Sequence, residues 1–309
     1  MKRWPSLAKF GKSLSLPEGE LFYYDSEGSA DSETRSRHGG KPTIALIHGL
    51  GDEADTWRHV FHALAEAGYR VLAPDLPGFG RSRWKGAIGV NVHCDSVTLL
   101  LAFADAGAKS PAVALVGSSL GAGVAELIAC KRPEIVKGLV LIAGCFPFAK
   151  SADKKLLLLG LPFLGRKWYR GFRKNHEAAW KSLYFYYADL DAMNGADRDF
   201  LCERVVARVE SPNQERGYLS TVGSMNRFFM FGSRFVARKI KRFPGKIFAL
   251  HGEKDRVFPF EKTALFRSLR PDAEFAIIAD AGHLPQQEKP EACVAEILRF
   301  VNDLNKTGL

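Results

Sequence analysis

A serine set between two glycines is the residue from which chemistry can first be argued. Residues 112–129, AVALVGSSLGAGVAELIA, begin as an apolar run rich in Val and Ala. They pass through Gly117-Ser118-Ser119-Leu120-Gly121 and continue with helical spacing. Strand, G-x-S-x-G, helix is the setting that a nucleophile elbow requires. A serine on so sharp a turn takes a strained backbone, and the residues two places away must be nearly free of side chain. Gly117 and Gly121 meet that need around Ser119, and no such pair flanks Ser118. The turn is expected to hold the Ser119 hydroxyl above the sheet edge, with a helix N-terminus aimed at it. The backbone N–H of Leu120 is then free to bind a developing oxyanion.

Serine is a poor nucleophile until a base takes its proton. His283, in Asp280-Ala281-Gly282-His283-Leu284-Pro285, directly follows the predicted strand 274–279, far downstream of the serine. That is where a triad base is needed. The imidazole in turn needs a carboxylate to fix its tautomer. Asp255, in His251-Gly252-Glu253-Lys254-Asp255-Arg256-Val257, follows the predicted strand 246–250 and is the candidate. Of the alternatives, Glu253 is one side-chain alternation removed, and Asp280 lies too close to His283 in the chain for a ready reach. After the strand 138–143, Gly144-Cys145-Phe146 offers no carboxylate, so an acid at that strand end is excluded. The second oxyanion donor is expected in His48-Gly49-Leu50-Gly51, after the strand 43–47, with the Leu50 N–H as the candidate. His48 is read as bracing this loop. His93-Cys94 has no base–acid pair of its own. His59 and His62 lie three apart on a predicted helix without a visible third ligand, so no metal site is expected.

The elements that must position these residues follow a regular alternation. Residues 12–16 and 20–24 flank Pro17-Glu18-Gly19 as a hairpin or two edge strands. Residues 26–41, rich in Ser, Gly and charge, read as a loop. Apolar strands at 43–47, 69–73, 138–143, 246–250 and 274–279 join the elbow strand. Helices are expected at 56–67, 92–107, after the elbow, at 260–269 and at 290–305. Such alternation implies a mostly parallel sheet covered on both faces, with ligands at the carboxyl ends of the strands. Residues 146–245 break the alternation. They carry LLLLGLPFLG, several aromatics and a helical stretch at 197–209, and are read as a helical lid inserted between two strands. The expected organisation is thus N-terminal edge strands and a loop (1–41), a first part of the α/β core (42–145), a basic lid (146–245) and a second part of the core (246–309).

Together these residues resemble the α/β-hydrolase superfamily, in its serine-nucleophile esterase and lipase-like branch with a lid. The resemblance rests on HGLG, PDLPGFGRS, GSSLG, HGEKDRVFP and AGHLPQQEKP, and covers about 41–144 and 245–305 but not the lid. It implies eight strands with one antiparallel edge strand near the N-terminus, and a lid between the sixth and seventh. Haloalkane dehalogenases and epoxide hydrolases of this superfamily carry aspartate at the elbow, so serine argues against both. The elbow also departs from the GGSWG of proline iminopeptidase-like members. Cleavage of a carboxylic ester or thioester through an acyl-enzyme is the expectation, with Ser119, Asp255 and His283 catalytic and Leu50 and Leu120 at the oxyanion. An acyltransferase or a carbon–carbon bond hydrolase would use the same triad, and a non-catalytic ligand-binding protein of the same fold is a more distant reading. No metal or organic cofactor is needed.

Composition bounds the rest. The chain has 309 residues, 46% hydrophobic and 25% charged, ordinary for a globular protein with a large core. Five scattered cysteines without a C-x-x-C pair argue against a disulfide framework and suit a reducing compartment, so a cytoplasmic location is expected. The basic N-terminus has no apolar run of the kind a secretory signal carries, and no stretch is long and apolar enough to span a membrane. The net charge is +10 and the pI about 9.4. Residues 146–245 hold 19 Lys and Arg against 9 Asp and Glu, which equals the surplus of the whole chain. Lys150, Lys154, Lys155, Arg166, Lys167, Arg170, Arg173 and Lys174 form one cluster. Arg234, Arg238, Lys239, Lys241 and Arg242 form another. An anionic partner is one expectation for them, either an acyl carrier protein, an anionic lipid surface or a carboxylate-bearing substrate. A solvated polar face is the other. No nucleic-acid recognition motif accompanies the charge. Phe146, Phe148, Leu161 and Phe163 are candidates for the acyl pocket.

Overall fold

The computed structural model describes residues 3–27, 43–104, 113–144 and 154–306. The strands are β1 (Gly11–Leu16), β2 (Gly19–Asp25), β3 (Thr43–Ile47), β4 (Val71–Pro74), β5 (Arg83–Trp84), β6 (Val113–Ser118), β7 (Val136–Ile142), β8 (Lys246–Gly252) and β9 (Glu274–Ile278). They form one sheet in the order β1-β2-β4-β3-β6-β7-β8-β9, with the two-residue β5 paired to β2. All pairs from β4 to β9 are parallel. The reversed strand on this path is β2, antiparallel to both β1 and β4. It therefore lies one place in from the edge, because the tight turn after Leu16 folds β1 back outside it.

Alternation along the buried strands sends side chains to two cores. Ala45, Ile47, Leu115, Leu139 and Leu141 pack with α2 (Val90–Ala104) and α3 (Leu120–Lys131). Ile44, Leu46, Val116, Val140 and Phe248 pack on the other face with α1 (Val60–Glu66) and α12 (Pro290–Lys306). Each strand is thus apolar throughout because both of its faces are covered. The helix expected over 56–67 is divided into a 3-10 turn, Ala54–Trp57, and α1. The buried Asp55 accepts hydrogen bonds from the Trp4 N–H and the Tyr24 hydroxyl, and Asp75 takes the Ala54 N–H. These tertiary bonds hold the first turn tighter than an α-helix would.

Between β7 and β8 lies a helical insertion. It contains α4 (Lys154–Leu159), α5 (Pro162–Lys174), α6 (His176–Lys181), α7 (Gly195–Glu210), α8 (Pro212–Phe231) and α9 (Ser233–Ile240). Asn194 and Ser211 cap α7 and α8 by accepting from Asp197 N and Gln214 N. After β8 come α10 (Ala264–Leu269) and, beyond β9, the short α11 (Pro285–Glu288) that leads into α12. Among the described residues no helix is long and apolar enough to cross a membrane.

Candidate active site

Ser119 sits between β6 and α3 with φ 54° and ψ −114°, a left-handed conformation that costs a non-glycine residue about 1–3 kcal/mol. The flanking glycines show why the turn closes. A Cβ on Gly117 would lie 2.2 Å from the Gly121 carbonyl oxygen, and one on Gly121 would lie 2.1 Å from that of Ile47. The Ser119 N–H donates to the Ile142 carbonyl (2.8 Å), which pins the elbow to the end of β7. Leu120 opens α3, so its N–H has no acceptor within the helix.

The loop after β3 lies against this elbow: a Cβ on Gly49 would lie 3.3 Å from the Ser118 carbonyl oxygen and 3.4 Å from the Ser119 Cβ. The His48 ring fixes the loop. Its Nε2 accepts the Leu76 N–H (2.9 Å), leaving Nδ1–H to donate to the Gly49 carbonyl (2.8 Å). Burial depresses the His48 pKa, consistent with this neutral tautomer. The Asp52 N–H turns back to Gly49 O (3.3 Å), which leaves the Leu50 N–H outside that bond.

Asp255 and His283 follow β8 and β9, and Asp255 Oδ2 lies 2.9 Å from His283 Nδ1. Both side chains are buried. Asp255 Oδ1 accepts the N–H groups of Val257 (2.8 Å) and Phe258 (2.9 Å). Burial alone would raise the Asp255 pKa, but the imidazole and the two backbone donors outweigh it and hold the carboxyl below its ordinary value. The carboxylate therefore orients His283 with Nδ1 protonated and Nε2 free to accept a proton. The two other acids point elsewhere. Glu253 accepts the Asp280 N–H, and Asp280 pairs with Lys254 on the surface.

The histidine loop is tied back to the elbow by a residue that sequence reading did not single out. Gln286 Nε2 donates to Ser118 Oγ (3.2 Å) and to Thr56 Oγ1 (3.2 Å). Ser118 is fully buried and serves as an anchor. Gln287 Nε2 donates to Thr56 Oγ1 (2.7 Å), and its Oε1 accepts from Arg58 and the Tyr187 hydroxyl. Glu288 accepts the N–H of Gly282 and of Ala188, both at 2.7 Å, and burial raises its pKa. The His283 N–H itself donates to Tyr186 O (2.7 Å), whose ring lies 6.0 Å from the imidazole. The insertion thus touches the His283 loop directly. The signal for this was present in the sequence as PQQE, but a glutamine announces no partner until the fold brings one near.

The comparisons bear on this geometry. The profile of the alpha/beta hydrolase family matches residues 44–296. The chain belongs to the alpha/beta hydrolase family. The chain is similar to an uncharacterized protein of Mycobacterium tuberculosis, 38% identical over 107 residues. That match covers 34% of the chain and only 30% of the relative's length. A longer likeness, 26% identical over 85% of the chain and 88% of the relative, is to a 2-hydroxy-6-oxononadienedioate/2-hydroxy-6-oxononatrienedioate hydrolase of Paraburkholderia phymatum. Among solved structures, Cfl2 from Burkholderia cenocepacia matches with a TM-score of 0.77 at 20% identity, covering 97% of this chain and 98% of that one. This last likeness speaks to the fold alone.

Cys94 is buried in the core, with its thiol pushed up to about 12 by burial. His59 pairs with Asp197, and His62 with the Ser6 hydroxyl. Leu161 and Phe163, expected at the acyl pocket, are exposed on the insertion, to 50% and 78%. Pro162 starts α5 at this point, and the buried positions of that helix are Gly165 and Tyr169. Phe146, Phe148, Cys145 and Lys150 lie outside the described residues. Arg170 and Arg173 are partly neutralised by Glu215, so the first basic cluster is smaller than its sequence suggests.

Proposed function

We propose that this hydrolase cleaves a carboxylic ester or thioester by way of an acyl-enzyme on Ser119. One observation carries the reading: a strained Ser119 at the N-terminus of α3, in a fold that also holds a buried Asp255–His283 pair at 2.9 Å. In the cycle, Ser119 Oγ attacks the carbonyl carbon while His283 Nε2 takes its proton. The Leu50 and Leu120 N–H groups receive the oxyanion. The protonated imidazole then passes the proton to the departing alcohol or thiol, and water repeats the sequence on the acyl-enzyme. None of these steps calls on a metal or organic cofactor. The insertion acts as a lid over this site, and the free thiols Cys94, Cys130, Cys202 and Cys293 suit a cytoplasmic setting.

A second reading is favoured by the relative matched over most of its length, which is named a hydrolase of an oxo-dienedioate. The same serine could attack a ketone carbonyl and expel a stabilised carbanion. Hydrolysis of p-nitrophenyl esters of graded chain length, by wild type and Ser119→Ala in parallel, separates the two. Serine-dependent ester turnover is the expected result, and the preferred chain length reports the depth of the acyl site. Fluorophosphonate labelling of Ser119 without any ester turnover would reject the ester reading, and oxo-dienoate substrates would then be the next assay.

A further inference from the structure

The helical insertion presents large apolar side chains to solvent where a folded protein ordinarily hides them. Leu158, Leu161, Phe163, Met230, Phe231 and Phe235 are 41% to 80% exposed. They come from two stretches that the fold brings together. α4 and α5 both pack along α8, and α9 packs against it as well. Gly160 sits against the Asn226 side chain and Gly165 against that of Leu219. The exposed ends of α4, α8 and α9 therefore share one end of the insertion. Large exposed apolar side chains concentrated on neighbouring helices in this way point to a binding surface.

Charge says what binds. Residues 154–176 contain seven Lys and Arg, residues 216–252 contain eight, and neither stretch contains a single Asp or Glu. Arg204 and Arg208, elsewhere in the insertion, are neutralised by Asp52 and Glu53 of the core. Lys167, Arg227, Arg234 and Arg238 are exposed on the same helices as Phe163, Phe231 and Phe235, and have no acidic partner among the described residues. Exposed Phe and Leu flanked by unpaired cations on short amphipathic helices fit the boundary between acyl chains and anionic headgroups. We propose that this end of the insertion docks on an anionic lipid bilayer, with Phe163 and Phe231 entering the acyl boundary and Lys167, Arg227, Arg234 and Arg238 at the headgroups. Docking there requires no catalysis, so the proposal stands apart from the ester reading.

The test is co-sedimentation of the intact protein with vesicles of phosphatidylcholine alone, or of phosphatidylcholine with phosphatidylglycerol, at low and high salt. Partition onto the anionic vesicles is expected to exceed that onto neutral ones by about tenfold or more and to fall with salt. Phe163→Ser with Phe231→Ser should lower it by about tenfold or more. Arg234→Gln with Arg238→Gln should lower it roughly fivefold per charge, on anionic vesicles only. All four positions are exposed, so an unchanged melting temperature verifies the fold of each variant. Trp168, 43% exposed next to Lys167 on α5, supplies a second readout: its emission should shift to the blue on anionic vesicles, and Trp168→Phe should remove the shift. Equal partition onto both vesicle types, salt-insensitive binding or no binding would overturn the proposal. So would a concentration-dependent dimer, or a complex with acyl carrier protein, abolished by the two serine substitutions in place of vesicle binding.

Discussion

Asp255 concentrates the physics of the site in one carboxyl group. One oxygen is consumed by two backbone N–H groups and the other faces His283. An asparagine there can keep the first arrangement while turning its NH₂ toward Nδ1, which imposes the wrong imidazole tautomer. Asp255→Asn is accordingly expected to lower kcat about 10⁴-fold with little change in melting temperature. Parallel steady-state kinetics and thermal melts check this, and an equal loss of both would mean that the residue is structural. Ser118 is the complementary case. Its hydroxyl holds Gln286, so Ser118→Ala should cost about 1 kcal/mol in urea unfolding while leaving fluorophosphonate labelling intact. Labelling lost in Ser118→Ala and kept in Ser119→Ala would reverse the assignment of the nucleophile.

At the scale of elements, the site is a set of strand ends. β3, β6, β8 and β9 each deliver one loop to the same edge, and parallel pairing brings those ends level. The close approach of the loop after β3 to the elbow at Gly121 leaves no room for a side chain. An alanine Cβ there would sit 2.1 Å from Ile47 O and 2.7 Å from His48 O, both backbone atoms that no rotamer can move. Gly121→Ala should destabilise by about 2–3 kcal/mol and push the loop bearing Leu50 off the elbow. Urea unfolding measures the first effect. A kcat that falls further than the folded fraction accounts for measures the second.

Across the whole molecule, buried ion pairs join the insertion to the core. Asp197 of α7 meets Arg58, which is 2% exposed, and His59. Burial opposes the charge on Asp197, but hydrogen bonds from His59 and Arg58 and the guanidinium charge outweigh it, holding the pKa far below the ordinary value. The folded value lies below the unfolded one, so the stabilisation is complete above the unfolded carboxylate pKa of about 4 and is lost as pH falls. Asp197→Asn strands Arg58 and should cost about 3 kcal/mol near pH 7. The gap in melting temperature between wild type and variant should hold steady at neutral pH and narrow below about pH 5. A gap that is independent of pH down to pH 3 would show that the loss comes from packing and not from charge.

Much of the fold was legible in the chain because local rules and global architecture agree. Short apolar runs such as TIALI and GLVLIA, bounded by turn residues, read as strands covered on both faces, and a helix such as α12 carries an apolar stripe at helical spacing. Ser119, Asp255 and His283 stood out because chemistry restricts residue type and each follows such a strand. The sequence alone also determined the basic surplus of residues 146–245 and the absence of acids from two of its stretches. What it left open depends on distance in space. PQQE carries no mark of its bonds to Thr56, Ser118 and Ala188, because hydrogen-bond partners 100 to 231 residues apart meet only when the sheet is assembled. Nor does composition say which cations are spent on Asp52, Glu53 and Glu215 and which remain free beside Phe163 and Phe231. Leu161 and Phe163 read as pocket residues and emerged on the surface. Hydrophobicity is a property of the residue, but burial is decided by which face of a helix the rest of the molecule covers.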